Sequence, residues 1–255
     1  LGARLSVDRM LSRALPGPQR VVSVASAGLL LQLAMMYFFS ALFKSHPVWL
    51  TECSAVYYVA HCDAYLTSLG VRLRELPAII QQGLTLATMA LESVGAVAVF
   101  SPLWTSRIRL FAVLAFWSFH AGLAATMTIG LFPAICMVGW LVFLPGSFWD
   151  WLARQPAAQR LFVDPPPSST SHSVNQAADS ELRLWLGKTR SVLINLLLAA
   201  LLAYTIVWNV RELDFKRYEF LMPREYNGPA RILGLDQNWA MFSPIPRTED
   251  GWLVM

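Results

Sequence analysis

The stretch VSVASAGLLLQLAMMYFFSALFKSHPVW, residues 22–49, runs for 22 residues without a charge before it meets Lys44. A membrane-crossing helix needs about 20 mainly apolar residues, so this segment reads as a span that ends at a lysine. Two readings of that lysine stand side by side. A lysine at a helix end commonly lays its stem along apolar surface and lifts its charge to the interface. The other reading is a positioned base. Tyr37 and Ser40 precede Lys44 by seven and four residues, which gives one helical face a Tyr–Ser–Lys stripe.

The rest of the chain agrees with a membrane protein. Of its 255 residues 56% are hydrophobic and 14% charged, and the mean hydropathy is +0.47. Soluble domains carry about a quarter charged residues, so the composition points to an all-α polytopic membrane protein, a transmembrane helix bundle. Five segments are expected to span: 22–43, 79–103, 108–130, 131–149 and 191–210. Pro133 and Pro145 bracket the fourth. The first two are separated by a long loop, 44–78. Within it residues 53–69 have apolar positions at helical spacing and are expected to form a helix on the membrane surface. Residues 151–190 read as a flexible linker, because DPPPSSTSHSVNQAADS (164–180) has no hydrophobic periodicity. Residues 211–255 read as the start of an extramembrane region. The chain starts at Leu1 and stops at GWLVM, so it is expected to be cut at both ends, with further spans upstream.

Charge then orients the bundle. The net charge of +4 is spread over loops, which implies membrane orientation and argues against nucleic acid as a partner. Arg4, Arg9, Arg13 and Arg20 place the N-terminal segment, 1–21, in the cytoplasm, and we expect a multi-pass protein of a bacterial plasma membrane. The turn with Arg107 and Arg109 falls inside, as do Arg154, Arg160, Lys188 and Arg190. The 44–78 loop and the turn near Pro133 fall outside. Arg211, Lys216 and Arg217 also fall outside, against the rule. Cys53 and Cys62 share the outer loop, where they could pair on an oxidising side but are read as two free thiols.

Ionisable groups within a bilayer are costly and usually face a bundle interior or a cavity. Glu92 lies at the middle of the second span, on a polar face with Gln81, Thr85 and Thr88. For those three the plain reading is helix–helix pairing. His120 lies among aromatics in LAFWSFHAGLAATM, in the outer half of the third span, where it can share a site with Lys44. Packing by a hydrogen bond would explain it equally well. His46, Cys53, His61 and Cys62 match no usual zinc spacing, so no metal is expected. There is no P-loop, dinucleotide fingerprint or nucleophile elbow.

YFFSALFKSHPVW (37–49), FHAGLAATMTIGLF (119–132) and LGLDQNWAMFSPIP (233–246) together resemble the HTTM (horizontally transferred transmembrane) domain. Its best-known relative is the vitamin K-dependent γ-carboxylase. The motif residues are Tyr37, Phe38, Lys44 and Trp49, then Phe119 and His120, then Gln237, Trp239, Met241, Phe242 and Pro244 with Gly251 and Trp252. The tail motif looks like the junction before the family's extramembrane region.

The resemblance implies catalytic roles for Lys44 and His120, with Glu92 and Tyr37 in support. Lys44 would deprotonate a reduced quinone, a vitamin K-like hydroquinone, which reacts with dioxygen. The base so formed takes a γ-proton from a glutamate of a protein or peptide substrate, and carbon dioxide adds. Such a lysine must be neutral part of the time, and burial in general disfavours the charged form of an amine. His120 would be a hydrogen-bonding or proton-handling partner. Nothing here resembles the carboxylase's propeptide-recognition surface. Two other functions stay open: a non-catalytic immunity, export or partner-binding subunit, and a proton-coupled transporter using Glu92 and His120.

Overall fold

A computed structural model describes residues 23–156 and 181–246. The arginines of the N-terminal segment, the linker 164–180 and the Gly251–Trp252 pair lie outside these. The regular structure of the described residues is all helical, with no β-strand; one isolated bridge joins Leu66 and Met127.

The charge-free stretch forms helix α1, Val24–Phe43. Ser23 starts it: its hydroxyl accepts from the Ser26 amide at 3.1 Å while Ser26 Oγ accepts from the Ser23 amide at 3.0 Å. That reciprocal pair satisfies two amides that a helix start leaves open. After Lys44 the chain turns into a short helix, Pro47–Leu50, with proline in its first turn and His46 Nδ1 accepting from the Val48 amide. The second expected span is helix α2, Ala78–Ala90, followed by a π-helical turn, Leu91–Gly95, and one further α-turn, Ala96–Ala98. Helix α3 runs Thr105–Thr126 and α4 Phe132–Trp140. Helix α5 is Gly146–Ala153, and α6 is a long helix, Glu181–Leu213.

Three helical stretches are long and apolar enough to cross a membrane: Val24–Phe43, Thr105–Thr126 and Thr189–Leu213. Phe132–Phe143 with Gly146–Ala153 makes a fourth only as a bent pair. The five expected spans therefore need three adjustments. The second, expected over 79–103, is helical only as far as Ala98 and is not one unbroken α-helix. The fourth breaks at Leu144–Pro145, because proline offers no amide and disfavours the α conformation in the residue before it. The helix of the fifth begins ten residues before the expected span, inside the expected linker, while its membrane-crossing stretch starts at Thr189. Exposed Leu193, Leu196 and Leu197 on α6 are suited to hydrocarbon surroundings.

The expected surface helix over 53–69 is not continuous. It is a short helix, Ala55–Ala60, then a 3₁₀ turn, Asp63–Tyr65, with Ser68–Val71 beginning another. Polar side chains hold these pieces at fixed points. Thr67 Oγ1 donates to the Ala125 carbonyl at 2.6 Å, and its amide donates to the Thr126 carbonyl at 3.0 Å. Arg74 pairs with Asp63 and donates to the Ala60 carbonyl. Gly70 sits so close to the Thr126 carbonyl that a Cβ would collide with it. We expect Gly70→Ala to cost about 1–3 kcal/mol, the usual range for overpacking, read as a lowered unfolding temperature in detergent.

The chain divides into two compact units, Leu1–Leu30 with Gly146–Tyr204 and Leu31–Pro145 with Thr205–Met255. The first holds the start of α1, α5 and most of α6. The second is centred on an aromatic stack. Phe116 lies flat against Trp140 at 3.9 Å, and Tyr37 tilts against Phe116 at 4.4 Å. Trp117 Nε1 donates to the Met137 carbonyl and ties α3 to α4.

Candidate functional site

Every residue singled out in the spans lies in the second unit. Lys44 does not reach outward: its side chain is 3% exposed. Nζ is 2.6 Å from Glu92 Oε2, 2.7 Å from Ser40 Oγ and 3.3 Å from the Ser40 carbonyl. Three contacts use the three donors of an ammonium. The stripe on α1 explains the geometry, since Ser40 one turn back lies directly under the lysine. Trp49 covers the ammonium from the other side, its ring centroid 5.2 Å from Nζ. Glu92, on the π turn, is buried likewise.

Seven residues before Lys44, Tyr37 makes a second pair. Its hydroxyl is 2.6 Å from His120 Nε2. His120 is completely buried, and its Nδ1 has no hydrogen-bond partner among the described residues. The structure thus brings Lys44, Glu92, Tyr37 and His120 around one cavity of about 270 Å³. That size is near the lower end for small-molecule sites, which run from about 300 Å³ upward. Trp49, Phe119, Phe132 and Phe242 supply aromatic wall, while Thr88 and Asn238 add polar edge.

The polar face of α2 divides by role. Gln81 donates to the Leu73 and Leu76 carbonyls, and Thr85 Oγ1 accepts from the Val56 amide. Both fasten the 44–78 loop to α2, where pairing between spanning helices was the expectation. Thr88 instead lines the cavity. No group of three or more His, Cys, Asp or Glu side chains among the described residues could hold a metal ion. Cys53 and Cys136 are free thiols.

The model of the HTTM domain family matches residues 3–151, more than half of the chain. The chain belongs to the HTTM domain family. No curated protein matches it, and no solved structure does. The matched region of the HTTM domain contains Lys44, Glu92, Tyr37 and His120. It does not contain the tail, yet the tail completes the cavity.

Asn238, Trp239, Met241 and Phe242 all line the cavity. Two indoles pin this strap: Trp49 Nε1 donates to the Phe242 carbonyl at 3.3 Å, and Trp208 Nε1 to the Gln237 carbonyl at 3.0 Å. The tail motif carried that signal in part, through its glutamine and tryptophan, but not the fold-back. Trp49→Phe keeps a ring over Nζ and loses the bond to the strap. It is expected to cost about 1 kcal/mol and to speed hydrogen exchange at residues 240–243.

Arg211, one of the basic residues that open the tail, has a side chain only 1% exposed. It donates to the Met222 carbonyl, Asn227 Oδ1 and Glu212, and stacks on Trp208 at 4.1 Å. It clamps the end of α6 to the tail. The only sequence hint was its aromatic company, Trp208 three residues before and Phe215 four after.

Proposed function

We propose that this HTTM protein is a membrane enzyme in which Lys44 acts as a general base on the acidic hydroxyl of a lipid-soluble ligand, a reduced quinone of the vitamin K type. One observation carries the reading: a buried lysine paired with a buried carboxylate on the wall of an aromatic cavity. Moving one proton from Nζ to Oε2 turns ammonium and carboxylate into amine and carboxylic acid. Net charge is unchanged, so a base becomes available without stranding a lone charge in apolar surroundings.

The cavity suits such a ligand. Aromatic walls favour stacked and edge contacts with a ring. A buried nitrogen without a partner, such as His120 Nδ1, calls for one. Tyr37 occupies Nε2 and leaves Nδ1 as the nitrogen free to take a ligand hydroxyl. Ser40 and Trp49 hold Nζ in place, and Glu92 receives and returns its proton. A reduced quinone bound there would supply, with dioxygen, a base strong enough to deprotonate a glutamyl γ-carbon, to which carbon dioxide adds. We place the N-terminal segment in the cytoplasm of a bacterial cell and the cavity in the outer half of the membrane.

A second reading is favoured by the saturation of Nζ. A lysine whose three donors are all used is a good fastener between α1 and the helix that carries Glu92. The protein would then be a non-catalytic subunit that keeps the bundle. The separating experiment uses purified full-length protein. It asks whether a quinone is extracted with it, and whether reduced quinone drives labelled carbon dioxide into glutamyl peptides. Finding both supports the enzyme; finding neither overturns it.

A further inference from the structure

Glu92 does not sit on an ordinary helix. It lies in the π turn Leu91–Gly95, between α2 and the turn Ala96–Ala98. A π turn closes its ladder five residues back instead of four and so takes in about one extra residue. The N-terminal side of this turn presents Glu92 to Lys44. Its C-terminal side presents Gly95, Ala96 and Val99 inward, the last two fully buried.

Gly95 is pressed against α3. A Cβ there would stand 3.3 Å from Phe116 Cε2 and 3.1 Å from Leu91 Cδ1. Phe116 has little freedom to give way, because it is stacked on Trp140 and lies 4.4 Å from Tyr37. Tyr37 in turn holds His120. Gly95 thus sits at the close approach between the helix of Glu92 and the helix of His120, where an added side chain would push against Phe116.

We infer that the π turn Leu91–Gly95 is the positioning device of the site, and that Gly95 is its positioning residue. The extra residue lets one helix aim Glu92 at Lys44 and still seat Gly95 on Phe116. An α-helix turns about 100° per residue, so removing one residue between Glu92 and Gly95 forces one of these contacts out of place. Val94, exposed and between them, is the residue to delete. The inference concerns the Lys44–Glu92 pair itself; it rests on the proposed enzymatic reading only for its catalytic consequence.

The test measures how Lys44 in the full-length protein reacts with phenyl isothiocyanate as a function of pH, by peptide mass spectrometry. Only a neutral amine reacts. Glu92→Gln supplies the profile of an amine that has lost its carboxylate. Deletion of Val94 and Gly95→Val are both expected to shift the profile to that of Glu92→Gln. Gly95→Val with Phe116→Leu, which gives the new methyls room, is expected to return it toward the parent. A purely structural role would lower the unfolding temperature and leave the profile of the folded protein where it was. The inference is overturned if folded Gly95→Val keeps the parent profile, or if Glu92→Gln itself does not move it. Should the deletion fail to insert, Gly95→Val decides alone. Loss of carbon dioxide incorporation with an unmoved profile would speak against this device and leave the proposed function standing.

Discussion

Lys44→Arg should abolish quinol-dependent turnover while the protein still inserts and folds. Arginine keeps the positive charge and can still bond to Glu92 and Ser40, so the fastening role is largely retained. It cannot become neutral, so the base role is lost. A general base is worth roughly 10²–10⁴ in rate, and the loss should be at least that large. Lys44→Ala should be equally inactive. A Lys44→Arg protein with near-parent turnover would leave only the fastener.

Glu92→Leu should be the most destabilising single change in the site. It leaves Lys44 buried with its charge uncompensated, and breaking a buried pair in this way costs about 3–5 kcal/mol. Lys44→Met together with Glu92→Leu should recover most of that loss, because an apolar pair of similar volume is often as stable as the ions it replaces. Chemical unfolding in detergent across the three variants measures the difference. The double variant then separates the two functional readings. A fastener is fully replaced by an apolar pair, whereas an enzyme is rebuilt as a stable and inactive protein. If the double variant is as unstable as Glu92→Leu, the ion pair is not what the site depends on for stability.

Much of this was legible in the residues. An uncharged run of that length has one economical fate, so the helix ending beside Lys44 could be placed from residues 22–43 alone. The Tyr37–Ser40–Lys44 stripe and the Gln81–Glu92 face follow from helical periodicity, and each proved to face inward over most of its length. What periodicity cannot give is where a ladder changes its step. Glu92 falls on the Gln81 face whether or not a π turn follows, so the turn left no trace in the spacing. The break at Leu144–Pro145 was signalled by proline, but a proline can also be absorbed at the end of a span. The fold-back of residues 237–242 depends on Trp49 and Trp208, far away in sequence, finding carbonyls of the strap. The burial of Arg211 was not legible, because a charge near a span end is usually solvated, and its bonds to Met222 and Asn227 form only in the fold.

The central claim is that Lys44 takes a proton from a bound quinol. Its most direct measurement is dioxygen uptake by the purified full-length protein supplied with a reduced quinone, compared between the parent and Lys44→Arg. The account predicts quinol-dependent uptake by the parent and its loss in the variant. Equal uptake by both, or none by either, would contradict it.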